Sequence, residues 1–197
     1  MKNKITSAAL IRSSNKPIVI AISGSSGCGK TTLVKQLAKR FSCKYLLFDD
    51  YIDKDSYPMD MEAWYHQGAN VSLIKTTRFI DAITAELTYS NDEKYLFIEE
   101  PFGRQRESIA PFVNYVVLLD MPQALCLERV IHRNKLKAGD NFDVSSYLKK
   151  YDVYFKDIYI NAVTQVRNNC DLLFNQAYEP AELAEKTSQW LQSLETF

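Results

Sequence analysis

The segment from 17 to 41 constrains the fold most, because it combines a strand, a glycine turn and a helix in direct succession. Residues 17–23 form a short apolar run rich in β-branched side chains, which predicts a strand buried on both faces. A glycine-rich turn at 24–29 follows it. Apolar residues then recur at the spacing of a helix that covers one face of a sheet: Leu33, Val34, Leu37, Ala38 and Phe41.

The rest of the chain continues this alternation. Apolar runs predict four more strands, at 43–48, 94–98, 115–119 and 171–174. Helices are predicted at 71–89, 124–136 and 144–166, with a last one that begins at Pro180. Alternating strands and helices indicate a three-layer α/β fold, in which helices cover both faces of a mostly parallel five-stranded sheet. We expect an extension over 1–16 and one domain over 17–197.

Composition excludes several classes of protein. Hydrophobic residues make up 46% of the 197 residues, which is enough for a buried core. The 24 basic residues balance the 24 acidic ones, so the basic excess typical of nucleic-acid binding is absent. No apolar run approaches the roughly 20 residues of a membrane span. The four cysteines lack the spacing of a zinc site or a dense disulfide framework, which favours the cytoplasm. The sequence leaves a homo-oligomer open.

The glycine turn carries the strongest functional pattern. Residues 24–31 read Gly-Ser-Ser-Gly-Cys-Gly-Lys-Thr and fit G-x-x-x-x-G-K-[ST]. Glycines let the backbone wrap closely around a phosphate, and its N–H groups then point inward at the start of a helix. Lys30 would place a point charge on the β- and γ-phosphates of ATP, and Thr31 would offer a hydroxyl to Mg²⁺. The predicted phosphate site consists of Gly24, Ser25, Ser26, Gly27, Cys28, Gly29, Lys30, Thr31 and Thr32.

Acidic residues follow three of the predicted strands, at the edge where ligands bind in open α/β sheets. Glu99 and Asp120 each end an apolar strand, and either could hold Mg²⁺ through a water molecule. Asp49 and Asp50 follow the second strand. A carboxylate there could accept the proton of a substrate hydroxyl, although a solvated acidic turn is the alternative.

Two arginines on the predicted helix 124–136 are candidates for a cationic lid. Arg129 and Arg133 are four residues apart and therefore share a helix face. They could neutralise a transferring phosphate as part of a small helical lid over about 129–145, or simply form a basic helix end.

The long connection at about 50–70 is a candidate acceptor-binding segment, because structureless connections of this length are often functional. Its aromatic residues could stack on a planar ring or pack into the core. The candidate contacts to an acceptor are Asp49, Tyr51, Trp64, Tyr65, His66 and Arg104. The tyrosine stripe over 147–159 is interpreted as core.

Taken in order, these motifs resemble the uridine kinase and nicotinamide riboside kinase group of P-loop phosphotransferases. The resemblance runs through 22–32, Phe-Asp-Asp-Tyr at 48–51, Leu-Phe-Ile-Glu-Glu at 96–100, and the arginine pair. It implies a P-loop NTPase-type fold, with Asp49 as general base, Glu99 near the metal and the arginines on a lid. This chain has Glu99-Glu100-Pro101 where the family usually has Glu-Gly.

The sequence therefore predicts an ATP- and Mg²⁺-dependent kinase acting on a hydroxyl of a small molecule, with a nucleoside as the first candidate. Lys30, Asp49, Arg129 and Arg133 are its predicted catalytic residues. A kinase of a vitamin precursor, such as nicotinamide riboside or pantothenate, is the alternative enzyme. A nucleotide-binding switch that reports to a protein is the alternative from another class.

Replacement of Lys30 by Ala should abolish ATP affinity or turnover without unfolding the chain, because its charge serves phosphate and not the core. Circular dichroism and an ATP-consumption assay measure the two effects. A normal spectrum with unchanged ATP affinity and turnover would contradict the phosphate-site assignment.

Overall fold

Five parallel strands form a single sheet in the computed structural model, which describes residues 16–89 and 93–195. The strands are β1 (Ile18–Ser23), β2 (Tyr45–Leu46), β3 (Tyr95–Glu99), β4 (Tyr115–Leu119) and β5 (Leu172–Phe174). Their order across the sheet is β2-β3-β1-β4-β5, and every neighbouring pair is parallel. This confirms the predicted sheet. All but Lys16 of the predicted extension lies outside the described residues.

The central position of β1 decides what surrounds the glycine turn. Ile22 of β1 is paired with Glu99 of β3, and Ser23 with Leu118 of β4. The carboxyl ends of all three strands therefore meet where the turn begins, and Glu99 lies beside it.

Helices cover both faces of the sheet and enclose two apolar clusters. The helices are α1 (Lys30–Phe41), α2 (Met61–His66), α3 (Thr77–Tyr89), α4 (Gln123–Ala138), α5 (Val144–Lys150), α6 (Lys156–Arg167) and α7 (Pro180–Ser193). On one face α3 and α6 contribute Phe79, Ile83 and Val166 to the first cluster. On the other face α1 and α7 contribute residues such as Leu37 and Leu191 to the second cluster. None of the helices in the described ranges is both long and apolar enough to span a membrane.

Three predicted elements differ from the structure. The predicted strand 43–48 is reduced to Tyr45–Leu46, and a short 3₁₀ helix at Phe48–Tyr51 carries Asp49 and Asp50. The predicted helix 71–89 begins only at Thr77, since Arg106 donates hydrogen bonds to the carbonyl of Ile74 and the hydroxyl of Thr76 just before it. The predicted helix 144–166 contains a π-helical turn at Tyr151–Phe155.

Replacement of Phe79 by Ala should lower the free energy of unfolding by about 3–5 kcal/mol, because it removes a fully buried ring. The ring packs against Phe48 and Tyr51, with centroids 6.0 and 5.4 Å away. Urea denaturation measures the loss. Leu73→Ala is the control, because Leu73 is 52% exposed and its loss should cost only about 0.5 kcal/mol. Equal losses in the two variants would contradict this packing.

Candidate active site

The turn at 24–29 forms a concave backbone loop, called the cradle below. Where this loop comes closest to neighbouring backbone, only glycine fits. Gly24 and Gly27 have φ angles of 133° and 86°, in the region that side chains disfavour. A Cβ atom on Gly27 would lie 2.3 Å from the carbonyl oxygen of Cys126 in α4. A Cβ atom on Gly24 would lie 2.4 Å from the carbonyl oxygen of Leu119 at the end of β4. The loop is thus packed directly against neighbouring backbone.

The start of α1 supplies the features that a phosphate group needs. Gly29 precedes the helix and offers no side chain to cap it, so the first-turn N–H groups are available to an anion. Lys30 is only 6% exposed, and its Nζ donates a hydrogen bond to the carbonyl of Ser25 at 3.0 Å. Nζ also lies 3.7 Å from Oε1 of Glu99. The ammonium group is therefore held over the loop, and these residues fit a nucleotide phosphate.

Thr31 and Glu99 form the next part of the site. The Thr31 hydroxyl donates a hydrogen bond of 2.7 Å to Oε2 of Glu99. Asp120 is placed differently: its Oδ2 accepts from Nε of Arg167 at 2.9 Å, and the two side chains form an ion pair. The structure therefore places Glu99, and not Asp120, beside the hydroxyl predicted to face the metal.

A cavity of about 520 Å³ opens over this cradle. It brings together the predicted loop residues 24–32 with Asp49, Glu99, Arg129 and Arg133. Arg133 lies four residues after Arg129 on α4 and donates to the hydroxyl of Ser26 at 3.4 Å. These side chains come from the ends of β1 and β3, the 3₁₀ helix after β2, and α4. The arrangement sets two carboxylates, three cations and a phosphate cradle around one space.

Four of the predicted acceptor contacts lie in the connection 50–70, and the structure does not bring them to this cavity. Trp64 is 3% exposed and its indole N–H donates to the carbonyl of Asn70, which makes it a core residue. The Tyr65 hydroxyl donates to Asp157 of α6, and the ring of His66 lies 5.2 Å from that of Tyr65. Tyr51 packs against Phe79. The prediction that these four residues line the acceptor site is therefore corrected.

The prediction that Arg104 contacts the acceptor is also corrected, because Arg104 lies at the amino ends of the strands and the cavity lies at their carboxyl ends. Its guanidinium pairs with Asp171 and donates to the carbonyls of Asn114 and Asn169. Asn114 and Asp171 immediately precede β4 and β5, at the amino ends of those strands. Arg104 thus joins the starts of two strands and does not reach the cavity.

Sequence reasoning missed the residues that complete the cavity wall. Tyr57 and Phe102 come from loops, Tyr159 and Val163 from α6, and Tyr178 precedes α7. Tyr159 belongs to the stripe interpreted as core, and no spacing rule marks Tyr57. Burial is the main reason, and the nearby charge of Asp49 the second, why the pKa of Tyr57 is raised to about 12. Its hydroxyl is therefore a neutral hydrogen-bonding group at physiological pH.

Cys28 lies inside the loop but is not a reactive thiol. It is 2% exposed, and burial raises its pKa above the usual value. Because the thiolate is the nucleophilic form, Cys28 acts here as a small apolar residue beneath the cradle.

Comparisons with known proteins agree with this architecture. A family model described as the Rad17 P-loop domain matches residues 1–84, which is less than half of the chain. No curated protein sequence matches the chain.

Solved structures match along most of their length. A shikimate kinase from Acinetobacter baumannii in complex with shikimate is 17% identical, with a TM-score of 0.53 over 94% of this chain and 97% of that one. A gluconokinase from Sinorhizobium meliloti 1021 is 16% identical, with a TM-score of 0.53 over 90% and 93%. A sugar kinase from Janibacter sp. HTCC2649 is 14% identical, with a TM-score of 0.55 over 89% and 95%.

At these identities the likeness establishes the fold alone. The protein has the three-layer α/β fold of P-loop NTPases, as the sequence predicted.

Replacement of Glu99 by Gln should raise the Mg²⁺ concentration required for turnover more than replacement of Asp120 by Asn does. Glu99 accepts from Thr31, whereas the carboxylate of Asp120 is occupied by Arg167. Mg²⁺ titrations of ATP turnover in the two variants measure the difference. The reverse ranking would transfer the metal-side role to Asp120.

Proposed function

We propose that this protein is an ATP-dependent kinase that transfers the γ-phosphate to a hydroxyl group of a small molecule. The observation that carries the proposal is the position of Asp49. Its carboxylate lines the same cavity as the phosphate cradle, Lys30 and Glu99. A cradle alone would serve any nucleotide-binding protein, whereas a second carboxylate in the same cavity supplies the base that an acceptor hydroxyl needs.

The phosphate side of the cavity would hold ATP. The loop N–H groups and Lys30 would bind the β- and γ-phosphates, as the cradle geometry favours. Thr31 and Glu99 would hold Mg²⁺, directly or through water, and the ion would neutralise charge on the phosphates. The hydrogen bond of 2.7 Å between these two side chains keeps both oxygens at one place.

Asp49 would act on the acceptor. Its carboxylate takes the proton of the acceptor hydroxyl, and the acceptor oxygen forms a bond to the γ-phosphorus. The bond from that phosphorus to the β,γ-bridging oxygen breaks, so ADP leaves with the electron pair. The products are ADP and a phosphate monoester.

Arg129 and Arg133 would stabilise the transferring phosphate. Both are exposed on the face of α4 that borders the cavity, and Arg133 already contacts the loop through Ser26. Guanidinium groups stabilise the charge spread over the phosphoryl oxygens in the transition state. Closure of a lid over about 129–145 would bring them onto it.

Charge on the cavity wall favours a neutral acceptor. Within the described lining the basic residues are Lys30, Arg129 and Arg133, which lie at the start of α1 and on α4. The wall around Asp49 instead offers the rings of Phe48, Tyr57, Phe102 and Tyr159. The charge of Asp49 would repel an acceptor carboxylate such as that of shikimate, whereas a nucleoside brings a flat neutral ring and free hydroxyls. A nucleoside is therefore the acceptor that we propose.

An ATP-consumption assay with a panel of hydroxyl compounds tests this function. The panel contains uridine and other nucleosides, nicotinamide riboside, pantothenate, shikimate and gluconate, each with ATP and Mg²⁺. A kinase consumes ATP only when its acceptor is present, and a new phosphate monoester accumulates. ATP hydrolysis that is the same with every compound would favour a nucleotide-binding switch.

Replacement of Asp49 by Asn should lower kcat by about 10²–10⁴, because the amide keeps the shape but cannot take the proton. ATP affinity should stay nearly unchanged, since among the described residues no hydrogen bond or ion pair joins Asp49 to residues 24–31. Asp50→Asn is the matched control: Asp50 is the next residue of the 3₁₀ helix but does not line the cavity. Steady-state kinetics with the acceptor found in the panel measure both. A larger effect at Asp50, or weaker ATP binding with normal chemistry, would contradict the role of Asp49.

A further inference from the structure

Arg106 is a fully buried cation that takes no part in the chemistry proposed above. It is 0% exposed, and so is its ion-pair partner Glu100. Nη2 binds Oε2 of Glu100, and Nε donates to Oε1 at 3.2 Å. Nη1 donates to the Thr76 hydroxyl at 2.6 Å and to the Ile74 carbonyl at 3.3 Å. All three guanidinium nitrogens are thus engaged.

These bonds connect the metal-side strand to the segment before α3. Glu100 directly follows Glu99, and its backbone N–H donates to the carbonyl of Ile22 in β1. Ile74 and Thr76 precede α3, whose Phe79 packs against Phe48. One guanidinium therefore bridges the end of β3 and the start of the helix that covers the base-bearing segment.

The same guanidinium also contacts the base-bearing segment itself. Its Cζ lies 5.1 Å from the centroid of the Phe48 ring, which is the distance of a cation–π interaction. Phe48 precedes Asp49 in the 3₁₀ helix and packs edge-on against Phe102 of the cavity wall, with centroids 6.2 Å apart. Phe102 in turn donates its backbone N–H to Glu100.

The sheet gives Asp49 little support of its own. Strand β2 is two residues long and pairs with β3 only through Tyr45 and Leu46. The position of Asp49 relative to Glu99 therefore depends on side-chain contacts, chiefly those of Phe48. Stability alone does not require a charged pair here, because apolar side chains of similar volume often replace a buried ion pair without loss.

We propose that Arg106, held by Glu100 and Thr76, is a positioning residue that fixes the Asp49 segment relative to the strand end that carries Glu99. Its planar guanidinium donates in three fixed directions at once, which neither lysine nor an apolar residue can reproduce. The inference rests on the proposed kinase function only in what it predicts for turnover.

Two variants test the proposal without leaving a buried charge alone. Glu100→Gln combined with Arg106→Met removes the ion pair at similar volume, and Thr76→Val removes one acceptor of the guanidinium. Arg40→Met combined with Glu185→Gln is the control, because it removes an exposed ion pair between α1 and α7. Each protein is assayed for ADP affinity by calorimetry and for phosphorylation of uridine. Hydrogen exchange over 47–57 and over α1 is measured by mass spectrometry.

The expected result is a split between binding and transfer. In the Glu100/Arg106 variant, kcat for uridine should fall roughly 10- to 100-fold, because small misplacement of a reacting group is costly. ADP affinity should stay within about threefold, since the cradle packs on the other apolar cluster and its hydrogen bond from Gly24 to Pro101 uses backbone groups that the substitutions keep. Exchange should rise over 47–57 and not over α1. Thr76→Val should show the same pattern, with a loss of about threefold or more.

Two results would overturn the proposal. One is a fall in ADP affinity parallel to the fall in turnover, which indicates general loss of structure. The other is hydrogen exchange over 47–57 that stays unchanged in Thr76→Val, and also in the Glu100/Arg106 variant where that variant folds. If the parent protein phosphorylates none of the nucleosides in the panel, the nucleoside proposal fails, and the exchange measurement still decides the role of Arg106.

Discussion

The parallel pairing of β1 with β3 is the constraint on which the rest of the site depends. It sets Ile22 opposite Glu99, so that the glycine turn leaving β1 begins beside the acid that ends β3. Thr31, one residue into α1, then meets Glu99 at 2.7 Å, and Lys30 lies within 3.7 Å of the same carboxylate. A different neighbour for β1 would separate the phosphate cradle from the carboxylate of Glu99. Sheet order, rather than any single side chain, thus assembles the phosphate half of the cavity.

The other half of the cavity is assembled differently. Asp49 follows a strand of only two residues and lies in a single 3₁₀ turn, so backbone pairing does not determine where its carboxylate points. Its surroundings are aromatic side chains from several elements, tied together by the buried Arg106 and Glu100. Backbone strand pairing therefore positions the residues around the glycine turn, whereas side-chain contacts position those around Asp49.

The division explains which features the sequence could predict. The loop residues 24–32, Glu99 and the arginines of α4 follow from a local motif, from strand ends and from helical spacing, and the structure brings them together. Asp49 lines the cavity, although from a 3₁₀ turn and not from a strand end. Trp64 and Arg104 were misplaced, because burial and an opposite sheet edge are properties of packing that local pattern does not contain. Tyr57 and Arg106 were missed for the same reason, since their partners are distant in sequence or unmarked by spacing.

The sheet also separates the apolar clusters that support the two halves. Cys28 and Leu33, under the phosphate cradle, belong to the cluster shared with α7, whereas Phe48, Phe102 and Val163 belong to the one shared with α3 and α6. The two clusters therefore lie on opposite faces of the sheet, and the backbone of Glu100 and Pro101, which accepts from Ser23 and Gly24, joins them at the cavity. Under the proposed function, substitutions on the α3 and α6 face would change the choice of acceptor more than the affinity for the phosphate donor.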